Sequence, residues 1–187
     1  MSDWDEYASS WDDNKSVQEY SDNTFQSLTG VIDTSSVSSV LDFGCGTGQL
    51  TDKFAPLCNR IVAVDPSKAM VEVLRAKGHS NVTTVDDYLT NELVSNNKCF
   101  EEKFDLIVAS SVCSFLPNYE ETVLLLKSLL KPSGSFVQWD WLSAEFSKDR
   151  VEGALNSAGF RNIQISEPFS MEGKGGVMQV IMAKGSV

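Results

Sequence analysis

From Val40 to Leu50 the chain reads Val-Leu-Asp-Phe-Gly-Cys-Gly-Thr-Gly-Gln-Leu, an apolar run that ends in an acid and is followed by glycines at 44, 46 and 48. Glycine has no Cβ, so the backbone can turn tightly on leaving a strand and a ligand can lie against bare main chain, with a helix opening directly afterwards. The alternation alone also describes a simple tight turn. Its neighbours narrow the choice. Gln49 stands where a dinucleotide-binding loop carries its third glycine, and no Gly-x-x-x-x-Gly-Lys-Ser/Thr run exists to hold a nucleoside triphosphate. Asp42, at the mouth of the loop, would repel a pyrophosphate and attract a cation.

Arg60-Ile61-Val62-Ala63-Val64-Asp65 reads as a buried parallel strand, with a helix starting near Pro66 and Ser67. Asp65 follows Gly48 by 17 positions, about the separation at which a βαβ unit presents an acid to ribose hydroxyls. An acid before a helix also suits an N-cap, and the two roles are compatible. S-adenosylmethionine carries a sulfonium, an α-ammonium and a ribose diol, which fits an acid at each side of the glycine loop.

These segments, followed by Phe104-Asp105-Leu106-Ile107-Val108-Ala109-Ser110-Ser111-Val112-Cys113-Ser114-Phe115-Leu116 and Leu130-Lys131-Pro132-Ser133-Gly134-Ser135-Phe136, resemble the ordered motifs of class I S-adenosylmethionine-dependent methyltransferases from about Val37 onward. The resemblance implies a three-layer, doubly wound α/β fold. Its sheet would have seven mostly parallel strands with an antiparallel last strand, and ligands would bind along the carboxyl edge. It also implies that Asp42, Gly44, Gly46, Gly48 and Asp65 hold the donor, with Cys45, Pro66, Met70 and Ser110 as further contacts. Asn81 to Tyr88 reads as the third strand with a polar exit, and the resemblance places Asp86 or Asp87 at the adenine amino group, with Asp87 favoured and Tyr88 beside the base. Either acid could instead cap a following short helix. Pro132-Ser133-Gly134 departs from the family's frequent Pro-Gly-Gly, at a turn before a strand.

The 187 residues suit one α/β domain, and 42% hydrophobic content is ordinary for a globular chain. No apolar run approaches a membrane span and the first residues are acidic and aromatic, so a cytoplasmic protein with neither export signal nor membrane anchor is expected. Cys45, Cys58, Cys99 and Cys113 form no Cys-x-x-Cys pair and read as reduced thiols; no metal site is expected. A net charge of −11, from 15 basic and 26 acidic residues, argues against nucleic acid as substrate, although it also serves solubility. Oligomeric state leaves no signal in the sequence.

A Ser-rich connection from Asp33 to Ser39 separates a head, residues 1–33, from a donor-binding body, residues 34–187. Trp4, Tyr7 and Trp11 recur at i, i+3 and i+7, one face of a short helix, and a second helix is predicted over Ser16 to Leu28. These aromatics either dock the head on the sheet or, as family resemblance favours, form a helical cap in which Tyr7 and Trp11 meet the ligands. Phe115 opens the loop after the fourth strand, and Asn118-x-x-Glu121 resembles a capping box for a helix over Tyr119 to Leu129.

The predicted fifth strand, Gly134 to Asp140, leaves through Gln138-Trp139-Asp140-Trp141. That exit is the leading acceptor-side cluster, with Trp141 as a contact and Asp140 as the one candidate base; alternatively the two tryptophans pack on the two faces of the sheet. A helix over Ser147 to Ala158, a strand from Ile163 to Pro168, a turn at Gly173 to Gly176 and an antiparallel return through Lys184 complete the reading. His79, beside Gly78 at a helix end, reads as a surface or capping residue. The chain is therefore expected to move a methyl group from S-adenosylmethionine to a small molecule by in-line displacement, releasing S-adenosylhomocysteine. The alternative is a non-catalytic sensor or partner subunit that binds the same ligands.

Overall fold

The body's apolar runs pair into one sheet. A computed structural model describes residues 4–173 and 176–187. Its strands are β1 (Ser39–Phe43), β2 (Arg60–Val64), β3 (Val82–Val85), β4 (Phe104–Ser110), β5 (Leu130–Trp141), β6 (Arg161–Gly173) and β7 (Gly176–Ser186). They lie in the order β3-β2-β1-β4-β5-β7-β6. β1 pairs in parallel with β2 and β4, β2 with β3 and β4 with β5, whereas β7 runs antiparallel to both β5 and β6. This is the mixed, doubly wound sheet expected from the sequence, and its order reverses between β1 and β4.

The helices are α1 (Ala8–Trp11), α2 (Lys15–Thr29), α3 (Gln49–Phe54), α4 (Lys68–Ala76), α5 (Asn91–Asn96), α6 (Tyr119–Ser128) and α7 (Lys148–Ser157). Side chains alternate across a strand, so each strand supplies both layers. Leu41, Phe43, Ile107 and Phe136 pack under α6 and α7, against Tyr119, Val123 and Leu155. Val40, Leu106, Val108, Val137 and Trp139 face the other way, against Tyr20 and Leu28 of α2 and Leu50 and Phe54 of α3.

Several local expectations are corrected. The cap of α4 is Ser67, whose Oγ accepts from the Met70 N–H, and not Asp65. Asn118 makes no side-chain cap at α6, so the capping box does not form. β5 starts at Leu130 rather than Gly134, because Leu130 already pairs with Phe104 before the register shifts and Ser135 meets Leu106. Pro132-Ser133-Gly134 thus forms an irregularity inside the strand, with Ser133 at φ +68°. Trp139 and Trp141, two apart, share one face of the sheet rather than occupying both: Trp139 donates its indole N–H to Ser27 and Trp141 meets Tyr20, both on α2. The expected turn after Gly173 includes residues 174 and 175, which lie outside the described residues.

Candidate active site at the carboxyl edge of the sheet

A cavity of about 410 Å³ opens where the sheet order reverses, on the face that carries α2 and α3. Strand parity selects its polar lining. Asp42 on β1, Asp65 just past β2, Ser110 ending β4 and Trp141 ending β5 all fall on that face, and all four line the cavity. Gly44, Cys45, Gly46, Pro66 and Met70 line the same end. Gly46 sits at φ +52° with open space where a Cβ would project, leaving its main chain bare to a ligand. Gly48 serves packing instead: at φ +84° it caps α3, and a Cβ there would lie 2.3 Å from Leu74 Cδ1.

The acids are held by the fold. Asp42 is buried and its Oδ2 accepts the Thr51 hydroxyl at 2.6 Å. Burial pushes this carboxyl up to about 7, against the pull of the Thr51 hydrogen bond and with a further push from Asp65. Asp65 is raised as well, by burial, although its Oδ1 accepts the Ser67 N–H at 2.8 Å and its Oδ2 the Gly46 N–H at 2.9 Å. Each oxygen keeps acceptor capacity for a ligand hydroxyl.

The head lies over this end. Trp4 packs edge-on against Trp11 and Phe115, with centroids 5.8 and 5.6 Å away, and all three line the cavity. Tyr7 packs on Trp4 and Trp11 but is more than half exposed and is not part of the wall. Polar contacts at the start of the head hold it to the loop end of the body. The Ser67 hydroxyl donates to Asp5 at 2.6 Å, while Asp12 accepts from Thr47 at 2.5 Å and pairs with Lys77 at 2.9 Å. Lys77 also meets Asp52 at 2.7 Å, and Asp52 pairs with His79 at 2.7 Å, so His79 belongs to a network beside the loop.

Other expected residues lie elsewhere. Asp86 pairs with Arg75 at 3.6 Å, Asp87 accepts the N–H of Tyr88, and Tyr88 is two-thirds exposed; none of the three lines the cavity. Asp140 points to the opposite face from Trp141, as its neighbouring position on β5 requires. It has no solvent exposure, its Oδ1 accepts the Ser114 N–H at 3.0 Å, and burial raises it to about 7. It does not line the cavity, although it lies close enough to Tyr20, which does, to raise that phenol's pKa, and its Oδ2 has no hydrogen-bond partner. Ser111, at φ +55°, and Val112 line the cavity beside Ser110, as the expected exit of the fourth strand at the carboxyl edge from Ser110 to Val112 implies. Sequence reading missed Tyr20 and Ser21 on α2 and Met171, Glu172 and Met178 on the β6–β7 hairpin, all of which line the cavity.

A nucleotide-type cleft at the switch point of a mixed sheet, with one acid near the end of β1 and another just past β2, defines a Rossmann-like ligand-binding enzyme class. A family profile described as "Methyltransferase domain" matches residues 41–136. The chain belongs to the class I S-adenosylmethionine-dependent methyltransferases. It is 40% identical over 101 residues to a malonyl-[acyl-carrier protein] O-methyltransferase of Halalkalibacterium halodurans, a match covering 51% of this chain and 36% of that protein. The chain thus spans about a third of that relative's length.

Among solved structures, a chain in the complex between the Haloferax volcanii Trm112 methyltransferase activator and the putative methyltransferase superposes with a TM-score of 0.78 at 14% identity, covering 100% of this chain and 98% of that one. The N-methyltransferase NodS of Bradyrhizobium japonicum, solved with S-adenosyl-L-homocysteine, superposes with a TM-score of 0.68 at 20% identity, covering 94% and 89%. These likenesses establish the fold. No helix among the described residues is long and apolar enough to cross a membrane.

Proposed function

We propose that the protein binds S-adenosylmethionine in this cavity and transfers its methyl group to a small-molecule acceptor, with residues 34–187 as the donor-binding body and residues 1–33 as a cap. The observation that carries this reading is the pair Asp42 and Asp65 on either side of the bare Gly46, with no cationic side chain among the described lining residues. A phosphate-bearing nucleotide would find two acids and no cation there, whereas a cationic sulfonium ligand with a ribose diol suits them. S-adenosylmethionine would supply an electrophilic methyl carbon that the acceptor's nucleophile attacks in line as the methyl–sulfur bond breaks, with S-adenosylhomocysteine as the leaving group.

The chain's own contribution is orientation. Asp42 holds a cationic group of the donor, Asp65 anchors its ribose, and the Gly46 N–H is held in place by Asp65 itself. Trp4, Trp11 and Phe115 cover the donor and exclude water. The malonyl-[acyl-carrier protein] relative supports methyl transfer as the reaction class. Calorimetric titration tests the reading: saturable binding of S-adenosylmethionine and S-adenosylhomocysteine with none of NADH is expected. Binding of NADH or inorganic phosphate in place of the methyl donor would overturn it.

A further inference from the structure

The second half of the cavity, between α2 and the β6–β7 hairpin, has its own chemistry. Its walls are Tyr20, Trp141, Met171 and Met178, and Glu172 stands at the rim. Across the cavity the charged lining side chains among the described residues are Asp42, Asp65 and Glu172; Lys, Arg and His are absent from that lining. A donor with one net positive charge offsets one carboxylate and leaves nothing to balance an anionic acceptor.

Tyr20 adds a polar handle. Its ring packs on Trp141 and Phe169, with centroids 5.1 and 5.4 Å away, and its residue is more than nine-tenths buried. Its hydroxyl makes no hydrogen bond of good geometry within the chain, although the Ser111 side chain lies close enough to pull its pKa down and the Asp140 carboxyl close enough to push it up, and the adjacent Ser21 hydroxyl is also unpaired. Buried hydroxyls are normally satisfied, so two orphans in one wall mark where a ligand's polar group completes the set. Burial holds the phenol of Tyr20 well above its ordinary range, so it stays protonated and orients an acceptor without taking its proton.

We propose that this half of the cavity binds an apolar acceptor without negative charge, an amine or an alcohol and not a carboxylate, positioned by the hydroxyl of Tyr20. The proposal rests on the donor reading above. Its test is calorimetry on the full chain saturated with S-adenosylhomocysteine, titrated with phenethylamine, phenethyl alcohol and phenylacetate, which differ chiefly in charge. The amine and the alcohol are expected to bind at least about tenfold more tightly than phenylacetate.

Tyr20→Phe keeps the ring packed on Trp141 and Phe169 and removes only the hydroxyl, so the fold is retained, and the variant should weaken the amine and alcohol roughly fivefold to tenfold while leaving phenylacetate unchanged. Phenylacetate binding as tightly as the other two, or no binding by any of them, overturns the proposal. Unaltered affinities in Tyr20→Phe also overturn it, because the acceptor is then not positioned by that hydroxyl. Failure of S-adenosylhomocysteine to bind at the first step overturns the donor reading instead, and the acceptor proposal with it.

Discussion

Thr51, in the first turn of α3, donates its hydroxyl to Oδ2 of Asp42 on β1 across 2.6 Å, inside the wall of the cavity. Burial nevertheless raises Asp42 from 3.8 to about 7. Between these values the folded protein holds a proton that the unfolded chain has lost, so stability falls as pH rises through the window. Asp42→Asn removes that dependence. In differential scanning calorimetry of the ligand-free protein, the variant should melt above the wild type at pH 8, and the gap should close toward pH 4.

Donor binding should show the opposite trend. A cationic ligand favours the charged form of Asp42, so affinity for S-adenosylmethionine should rise with pH through about 7 and level off above it. Between pH 5 and pH 8 the gain should be on the order of tenfold to a hundredfold. Asp42→Asn should bind weakly at every pH, and a variant that keeps the wild-type profile would place the cation elsewhere.

Asp65 holds the Gly46 and Ser67 N–H groups as well as facing the cavity. Asp65→Ala should therefore do two things: lower donor affinity by about tenfold or more, and cost about 1–3 kcal/mol of stability through the two orphaned amides. Calorimetric titration and urea unfolding separate the effects. Unchanged donor affinity would refute ribose binding by this residue.

Lys77 joins Asp12 of the head to Asp52 of α3, with distances of 2.9 and 2.7 Å. Burial acts to lower its pKa, but the two carboxylates outweigh this and raise it, so the clasp stays charged at neutral pH. If the head is a lid, Lys77→Met should speed donor dissociation roughly fivefold in stopped flow, with a melting change of only a few degrees. Removal of residues 1–14 should impair turnover far more than folding. A large fall in melting temperature with unchanged dissociation would make the head a packing element.

Ser133 adopts φ +68°, a left-handed conformation that an L side chain populates at a cost. Ser133→Gly should stabilise the protein by about 1 kcal/mol, a melting increase of roughly 2–4 °C for a chain of this size. A decrease would mean that the Ser133 side chain contributes an interaction exceeding the strain.

What the sequence alone determined is what short-range rules control. The apolar runs set the strands, the missing Cβ of Gly46 opened the loop, and the position of Asp42 and Asp65 at strand ends put both on the carboxyl edge. Period-two alternation in the sequence already separates Trp141 from Asp140, but a local motif does not show which face of the sheet bears the cavity, so the sequence leaves both at the acceptor side. Long-range packing alone puts α2 on the Trp141 side, leaves Asp86 and Asp87 outside the cavity, and brings Tyr20, Met171, Glu172 and Met178 into one cavity lining. Those residues come from segments about 150 positions apart, and the long-range packing that joins them leaves no periodic or motif signal in either one.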